Sequence, residues 1–337
     1  MKGIGVALSK MAEPGGTASM ALVACRPLHT NRPRLDLDGT WEFSYDARGV
    51  ALEQGWFRPK IIGDGWLTDI LARMISRLPI KFVNKVQSDN FKYWNFFKEE
   101  YEFMHKENKK PHDVDGEVYR YIVMKPGEDF NDLFALPNTI VAVMSVVGEQ
   151  SIIPNNAEEI NADAFEFDKT IANVEELKSW DSPPFFISMS HHFNNGLCGH
   201  ARIFPGIAGR ALDQEQGINA PINDKGRKLI DCLLGINDYE GNGQRILIDT
   251  KHMSVRARVE YYNKVREFNI GKADADKIPI VVSHTAYSGN AVLGAELDPR
   301  DTDSKYDAST TFNNWSINLF DDEIIEIFNS NGIIGLN

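Results

Sequence analysis

No run in the 337-residue chain approaches the roughly 18 apolar positions that a membrane-crossing helix needs. Cysteine is scarce. Cys25, Cys198 and Cys232 lie far apart and form no Cys-x-x-Cys, which argues against a disulfide scaffold or a zinc ribbon and reads as isolated buried thiols. Basic residues are outnumbered, 36 against 48 acidic ones, and the net charge is −12. A nucleic-acid binder needs a basic face, and so does a protein that docks on an anionic membrane, so neither class fits. The acidic surplus reads as a solvated surface.

What is present suffices for one large α/β domain, or one domain plus a small appendage, since 42% of the residues are hydrophobic. Residues 1–30 are small, polar and mixed, with no regular pattern. Within them Leu22-Val23-Ala24-Cys25 looks like the cleavage box of a bacterial lipoprotein, but Glu13, Pro14, Gly15 and Gly16 interrupt the apolar segment such a leader needs. The compartment, cytoplasmic or exported, stays open on this evidence. Residues 32–58 alternate as a strand does, through Leu35, Leu37, Trp41, Phe43 and Tyr45. The Leu37-Asp38-Gly39-Thr40-Trp41-Glu42-Phe43 stretch resembles the opening of the sugar-binding domain of family-two glycoside hydrolases. On that resemblance a carbohydrate-associated role is the third reading of the chain. Residues 1–60 are therefore expected to be an irregular or β-hairpin extension, and residues 61–337 the main domain.

From residue 65 the rhythm becomes helical. Trp66 to Arg77 reads as a helix stopped by Pro79. Ser88 to Lys106 reads as a second, opened by the Ser88-Asp89-Asn90 cap signals and striped with Phe91, Trp94, Phe97 and Tyr101, which marks a core face. Strands and helices then alternate. Strands are expected at Tyr119–Met124, Thr139–Val147, Phe185–Ser190, up to Thr250, up to Ser283, and at Gly332–Leu336. Helices are expected at Lys169–Trp180, Asn223–Leu234, Ser254–Phe268 and Asp321–Asn329. The Thr139–Val147 run is apolar almost throughout, as a parallel strand covered on both faces should be. This alternation predicts an α/β fold of the (β/α)8 TIM-barrel type, incomplete, with about six of its eight strand–helix units. Open strand edges in such a sheet would favour association into a homo-oligomer.

Chemistry concentrates where strands end. His252 and His284 each follow an apolar strand. In a barrel those ends meet at one mouth, where two imidazoles can share a metal ion. Hydroxyls in Ser283-His284-Thr285-Ala286-Tyr287-Ser288, and Asp249 and Lys251 beside His252, could orient the rings. After the strand at Phe185 comes the loop His191-His192-Phe193-Asn194-Asn195-Gly196. Strand parity would point its two imidazoles in different directions, so that one enters the mouth. Glu149, after Val147 and Gly148, is either a carboxylate bridging two metal ions or a surface residue at a helix start.

Three ordered segments carry a resemblance: Ile187-Ser-Met-Ser-His191, Ile248-Asp-Thr-Lys-His252-Met-Ser254 and Pro279-Ile-Val-Val-Ser-His284-Thr-Ala-Tyr-Ser288. With the tail from Asn318-Leu-Phe-Asp-Asp-Glu to Asn331-Gly-Ile-Ile-Gly-Leu-Asn337, they resemble the membrane dipeptidase (renal dipeptidase-like) family of the amidohydrolase superfamily, from about residue 65 onward. The resemblance implies a barrel with two zinc ions bridged by a carboxylate and a hydroxide that attacks the peptide carbonyl of a dipeptide or similar small molecule. It implies His252, His284 and Glu149 as metal ligands and His191 as the histidine that stabilises the oxyanion. His192, Asn194 and Tyr287 would then touch the substrate. The chain also departs from the pattern. It has no His-x-His or His-x-Asp for the first zinc, and Val147 stands at the bridging-glutamate place, two residues before Glu149. Ser316-Ile317 replaces the arginine that would grip a substrate carboxylate, and the last strand's aspartate is not found. The expectation is a zinc-dependent hydrolase, and the alternative is a non-catalytic or truncated relative with an incomplete metal site.

Overall fold

Six apolar segments become six parallel strands, and their order in space is their order in sequence. They are β4 (Glu117–Val123), β5 (Thr139–Val147), β6 (Phe186–Ser188), β7 (Leu247–Asp249), β8 (Val281–Thr285) and β9 (Ile333–Leu336). Each pairs in parallel with the next. The computed structural model describes residues 92–153, 166–203, 214–293 and 315–336, with the backbone alone for Ala7–Ser9 and Ala18–Ala24. The chain divides into two compact units, Met1–Gly3 with Arg26–Ser88 and Ile4–Cys25 with Asp89–Asn337. Every described residue lies in the second. The expected hairpin at residues 32–58 and helix at residues 66–77 lie outside the described residues.

Three further strands extend the sheet. β1 (Ala7–Ser9) pairs antiparallel with β2 (Ala18–Ala24), and β2 pairs antiparallel with β5 in a register that sets Ala18 opposite Val147. The sequence shows no strand pattern there. The first three residues of the lipoprotein-like box, Leu22 to Ala24, are part of β2. β3 (Pro111–Val114) forms a hairpin with β4 through Asp115 and Gly116, both at positive φ. This is an α/β fold on a mostly parallel sheet. Among the described residues β9 and β4 do not pair.

Among the described residues all the helices but the second fall near where the apolar periodicity puts them. They are α1 (Tyr93–His105), α2 (Phe130–Ala135), α3 (Phe167–Lys178), α4 (Asp224–Leu234), α5 (Val255–Asn269) and α6 (Asp321–Asn329). α1 starts at Tyr93, with Lys92 at its N-cap and no side-chain cap, so the signals at 88–90 do not open it. Asn223 caps α4 by accepting from the Gly226 N–H, and Ser254 caps α5 by accepting from the Ala257 N–H. α4 ends on Gly235 in the left-handed conformation, the usual helix stop. α2 has no buried residue and no apolar stripe, which is why periodicity misses it.

One core joins the strands to their covering helices. Val146, Ile187, Ile248 and Val281 from the sheet meet Leu177 of α3, Leu229 and Leu233 of α4, Tyr261 and Val265 of α5, and Ile327 of α6. The aromatic stripe of α1 packs as expected. Trp94 stacks on Trp180 with centroids 5.5 Å apart, and Phe97 sits 5.4 Å from the same ring. Cys198 and Cys232 are free and buried, as the sequence suggests. β9 lies so close to β8 that a Cβ at Gly335 would collide with the Ser283 carbonyl oxygen, so only glycine fits there.

Ser254 both caps α5 and donates from Oγ to the Ala220 carbonyl oxygen at 2.6 Å. Ser254→Ala should cost about 1–2 kcal/mol. Urea unfolding will show this as a lower midpoint at unchanged slope. Ser179→Ala, at the exposed end of α3, should shift stability by less than about 0.5 kcal/mol.

Candidate functional site

The C-terminal ends of β6, β7 and β8 bring four imidazoles into one cluster. His191 and His192 have ring centroids 3.6 Å apart. His252 lies 4.7 Å from His191, 5.3 Å from His192 and 5.2 Å from His284. The expectation from strand parity fails here for a simple reason. β6 stops at Ser188, so residues 191 and 192 are loop, and alternation does not govern them. Both rings reach the cluster.

His252 is its centre. It is 3% exposed, its backbone is left-handed at φ +69°, and neither ring nitrogen has a hydrogen-bond partner. Two orphaned nitrogens in a buried ring are expensive unless something supplies a partner. Its loop is pinned on both sides. The Ala201 N–H donates to the His252 carbonyl oxygen at 2.8 Å, and the Ser254 N–H donates to the Gly199 carbonyl oxygen at 2.9 Å.

His284 is oriented by a relay. Ser283 Oγ donates to Asp249 Oδ2 at 2.7 Å and lies 2.8 Å from His284 Nδ1. With the hydroxyl proton committed to the carboxylate, Ser283 accepts from Nδ1–H, and the His284 Nε2 lone pair is then available for a ligand. Asp249 is itself completely buried. Ser188 Oγ donates to it at 2.6 Å, and the backbone N–H groups of Lys251 and Ser283 donate at 3.1 and 2.9 Å.

The electrostatics keep the cluster neutral. Burial pushes the His191 imidazole down to about 3 and that of His192 to about 4, with neighbouring imidazoles adding to the effect. Burial first, then the other three imidazoles and Lys251, holds His252 well below the ordinary histidine range. His284 is lowered by burial, against the pull of Asp249. Lys251, pushed down to about 8 chiefly by burial, donates from Nζ to the Ile317 carbonyl oxygen at 3.2 Å. A lysine thus sits beside the stretch where the resemblance calls for an arginine.

Glu149 is neither a strand residue nor on the surface. β5 ends at Val147, Gly148 turns at φ +103°, and Glu149 opens a 3₁₀ turn, Glu149–Ile152, with only 3% of its surface exposed. Burial raises its carboxyl to about 7, partly offset by hydrogen bonds from its own backbone and from Asn195. Its Oε2 has no hydrogen-bond partner. Asn194 Oδ1 accepts from the Gly196 N–H at 3.1 Å, within the loop itself. Tyr287 does not join the cluster through its hydroxyl, which donates to Asp321 Oδ1 at 2.7 Å at the start of α6. Asn195, which the sequence does not single out, shapes the loop. Its Oδ1 accepts from the N–H groups of Leu197 and Cys198, both at 2.9 Å, and its Nδ2 donates to the Met189 carbonyl oxygen at 2.9 Å. The Asn-Asn-Gly run was its only signal.

Among the described residues, no three His, Cys, Asp or Glu side chains are set to hold one metal ion. The donor chemistry nonetheless suits a borderline metal such as zinc, because neutral imidazoles and an orphaned carboxylate oxygen are its ordinary ligands. No family model matches the chain, and no curated protein and no solved structure matches it.

The buried imidazoles make stability pH-dependent with a defined sign. Their folded values lie below the ordinary 6.5, so the stability they confer is complete above that pH and is lost as pH falls toward 3–4. For His191 the loss at pH 5 is on the order of 2 kcal/mol. In metal-free protein the urea midpoint should fall between pH 7.5 and pH 5, and His191→Asn should flatten that fall. An unchanged slope of stability against pH in the variant would refute this assignment.

Proposed function

We propose that this chain is a zinc-dependent hydrolase of a peptide or amide bond, of the membrane dipeptidase type, with its site at the mouth of a (β/α)8-type sheet. The observation that carries this reading is His252, a buried imidazole with two unpartnered nitrogens, ringed by three further histidines at adjacent strand ends. The strand order supports the barrel. Six parallel strands follow one another without a reversal, and crossovers of one hand then carry every helix to the same face and curl the sheet. No helix among the described residues is long and apolar enough to cross a membrane.

His252 and His284 would hold the metal, with Glu149 Oε2 as the carboxylate donor. Bound zinc would supply an activated water near neutral pH and polarise the substrate carbonyl. The chain's own groups do the rest. His191 stays neutral at pH 7, so it keeps one N–H to donate to the oxygen that gains charge. The Asp249–Ser283–His284 relay fixes one tautomer and frees one nitrogen. His192 and Asn194 line the same loop and are placed to contact a small substrate. Tyr287, tied to Asp321, holds the start of α6 against the segment after β8.

A second reading has its own support. Since no three ligands converge among the described residues, a non-catalytic relative with a half-site is the competing account. Zinc content of the full chain, purified without chelator, separates the two. Two equivalents with turnover of dipeptides support the hydrolase; one or none, with no turnover, supports the alternative. In the hydrolase, His252→Ala should weaken zinc binding at least tenfold with the melting curve still cooperative. His191→Ala should keep its zinc and lose roughly 10²–10³-fold in kcat, the usual weight of one oxyanion donor. Full zinc retention in the H252A/H284A double variant would refute the ligand assignment.

A further inference from the structure

Nothing in the cluster itself explains how His252 is kept in a left-handed backbone with its ring facing inward. The next peptide provides the explanation. Met253, directly after His252, presents its carbonyl oxygen to Arg258 NH1 at 3.0 Å. Arg258 is 2% exposed and spends every arm of its guanidinium. Nε donates to Glu323 Oε1 at 2.7 Å, while NH2 donates to the Ser316 carbonyl oxygen at 2.7 Å and to Glu323 Oε2 at 3.3 Å. Glu323 in turn accepts from Tyr262 Oη at 3.0 Å and from the Phe320 N–H at 3.0 Å. One planar fork therefore joins three pieces of chain: the His252 loop after β7, the segment at Ser316, and the first turn of α6.

We infer that Arg258, paired with Glu323, is a positioning residue that sets His252 in the site and ties its loop to the Ser316–Phe320 segment. The geometry requires an arginine. A buried cation must satisfy its donors, and only a five-donor planar group reaches two carbonyls and a carboxylate at once. Since Arg258 lies on α5, the loop between His252 and the helix is closed from both ends: Ser254 caps the helix from below, and Arg258 returns from its first turn to the Met253 carbonyl. A loop held this way has little freedom to relax toward an ordinary backbone at residue 252. The functional meaning of this positioning rests on the hydrolase reading, but the position of His252 can be measured without metal.

The test uses the full chain, stripped of metal, and diethyl pyrocarbonate as the probe. The reagent acylates accessible neutral imidazoles, and peptide mass spectrometry reads each histidine separately. Arg258→Met alone would leave Glu323 as a lone buried carboxylate and could unfold the chain. The double variant R258M/E323Q avoids this, since the amide oxygen still accepts from Tyr262 and Phe320 and no charge is orphaned. In it, His252 should be modified at least ten times faster than in the parent chain. His105, at the end of α1 with its Nε2 buried, should keep its parental rate. Protection of His252 in the folded double variant would overturn the inference, and so would equal gains at His252 and His105, which report general loosening. If the double variant does not fold, R258K decides. It keeps the charge beside Glu323 and loses the fork, so His252 should react at least threefold faster than in the parent, and parental protection would overturn the inference. Zinc titration of the same proteins separates the two readings. A parent chain that binds no zinc, with His252 freed in the variant, leaves the positioning role standing and removes the hydrolase reading.

Discussion

Asp249 is completely buried, and a carboxylate in that position is tolerable only because four donors surround it: two serine hydroxyls and two backbone N–H groups. The donors come from three places. Ser188 ends β6, Lys251 follows β7, and Ser283 lies in β8. The ladder between β7 and β8 is only one pair long, Asp249 opposite Val281. The side chain of Asp249 does there what main-chain pairing does elsewhere in the sheet. It closes the seam between the strands that deliver His252 and His284, and it passes orientation to His284 through Ser283. Without it, the seam between β7 and β8 would rest on the Asp249–Val281 pair and the bond from the Thr250 N–H to the Val281 carbonyl oxygen.

The same arrangement explains why the site is neutral. The Asp249 side chain lies near the rings, yet its oxygens are taken up by four donors, and its pull on His284 is outweighed by burial. Burial then dominates, and the imidazoles are driven to the unprotonated form. That form is the one with lone pairs. Four neutral rings therefore present lone pairs to one another while the buried aspartate beside them is spent on scaffolding.

Much of the sheet was legible from residues alone, and the reasons are particular. β5 matches its expected range of Thr139–Val147 because a nine-residue apolar run has few other uses. α6 matches Asp321–Asn329 because an acidic first turn leads into an apolar face. β3 escaped although Asp115-Gly116 is a hairpin signal, since all four of its residues are exposed and show no alternation. In the site, His252 and His284 stood out because they follow strands. Asp249 is legible only as a group beside His252 that could orient a ring, and Asn195 and Arg258 do not stand out. The roles of Asp249 and Arg258 depend on partners far away in sequence, 65 residues in the case of Arg258 and Glu323, and a buried pair at that separation leaves no local pattern. Glu149 reads from sequence as either surface or site, and the turn at Gly148 with the burial of its side chain removes the surface reading.

The left-handed backbone at residue 252 has a consequence for how such a chain can drift. Asparagine and glycine adopt that conformation more comfortably than histidine does. A change to glycine would relax the backbone and remove two unsatisfied buried nitrogens in a single step, against the cost of the cavity left by the ring. The fold itself gains little from an imidazole at residue 252. On the hydrolase reading the ring is held there for the metal it would bind and not for the chain it belongs to.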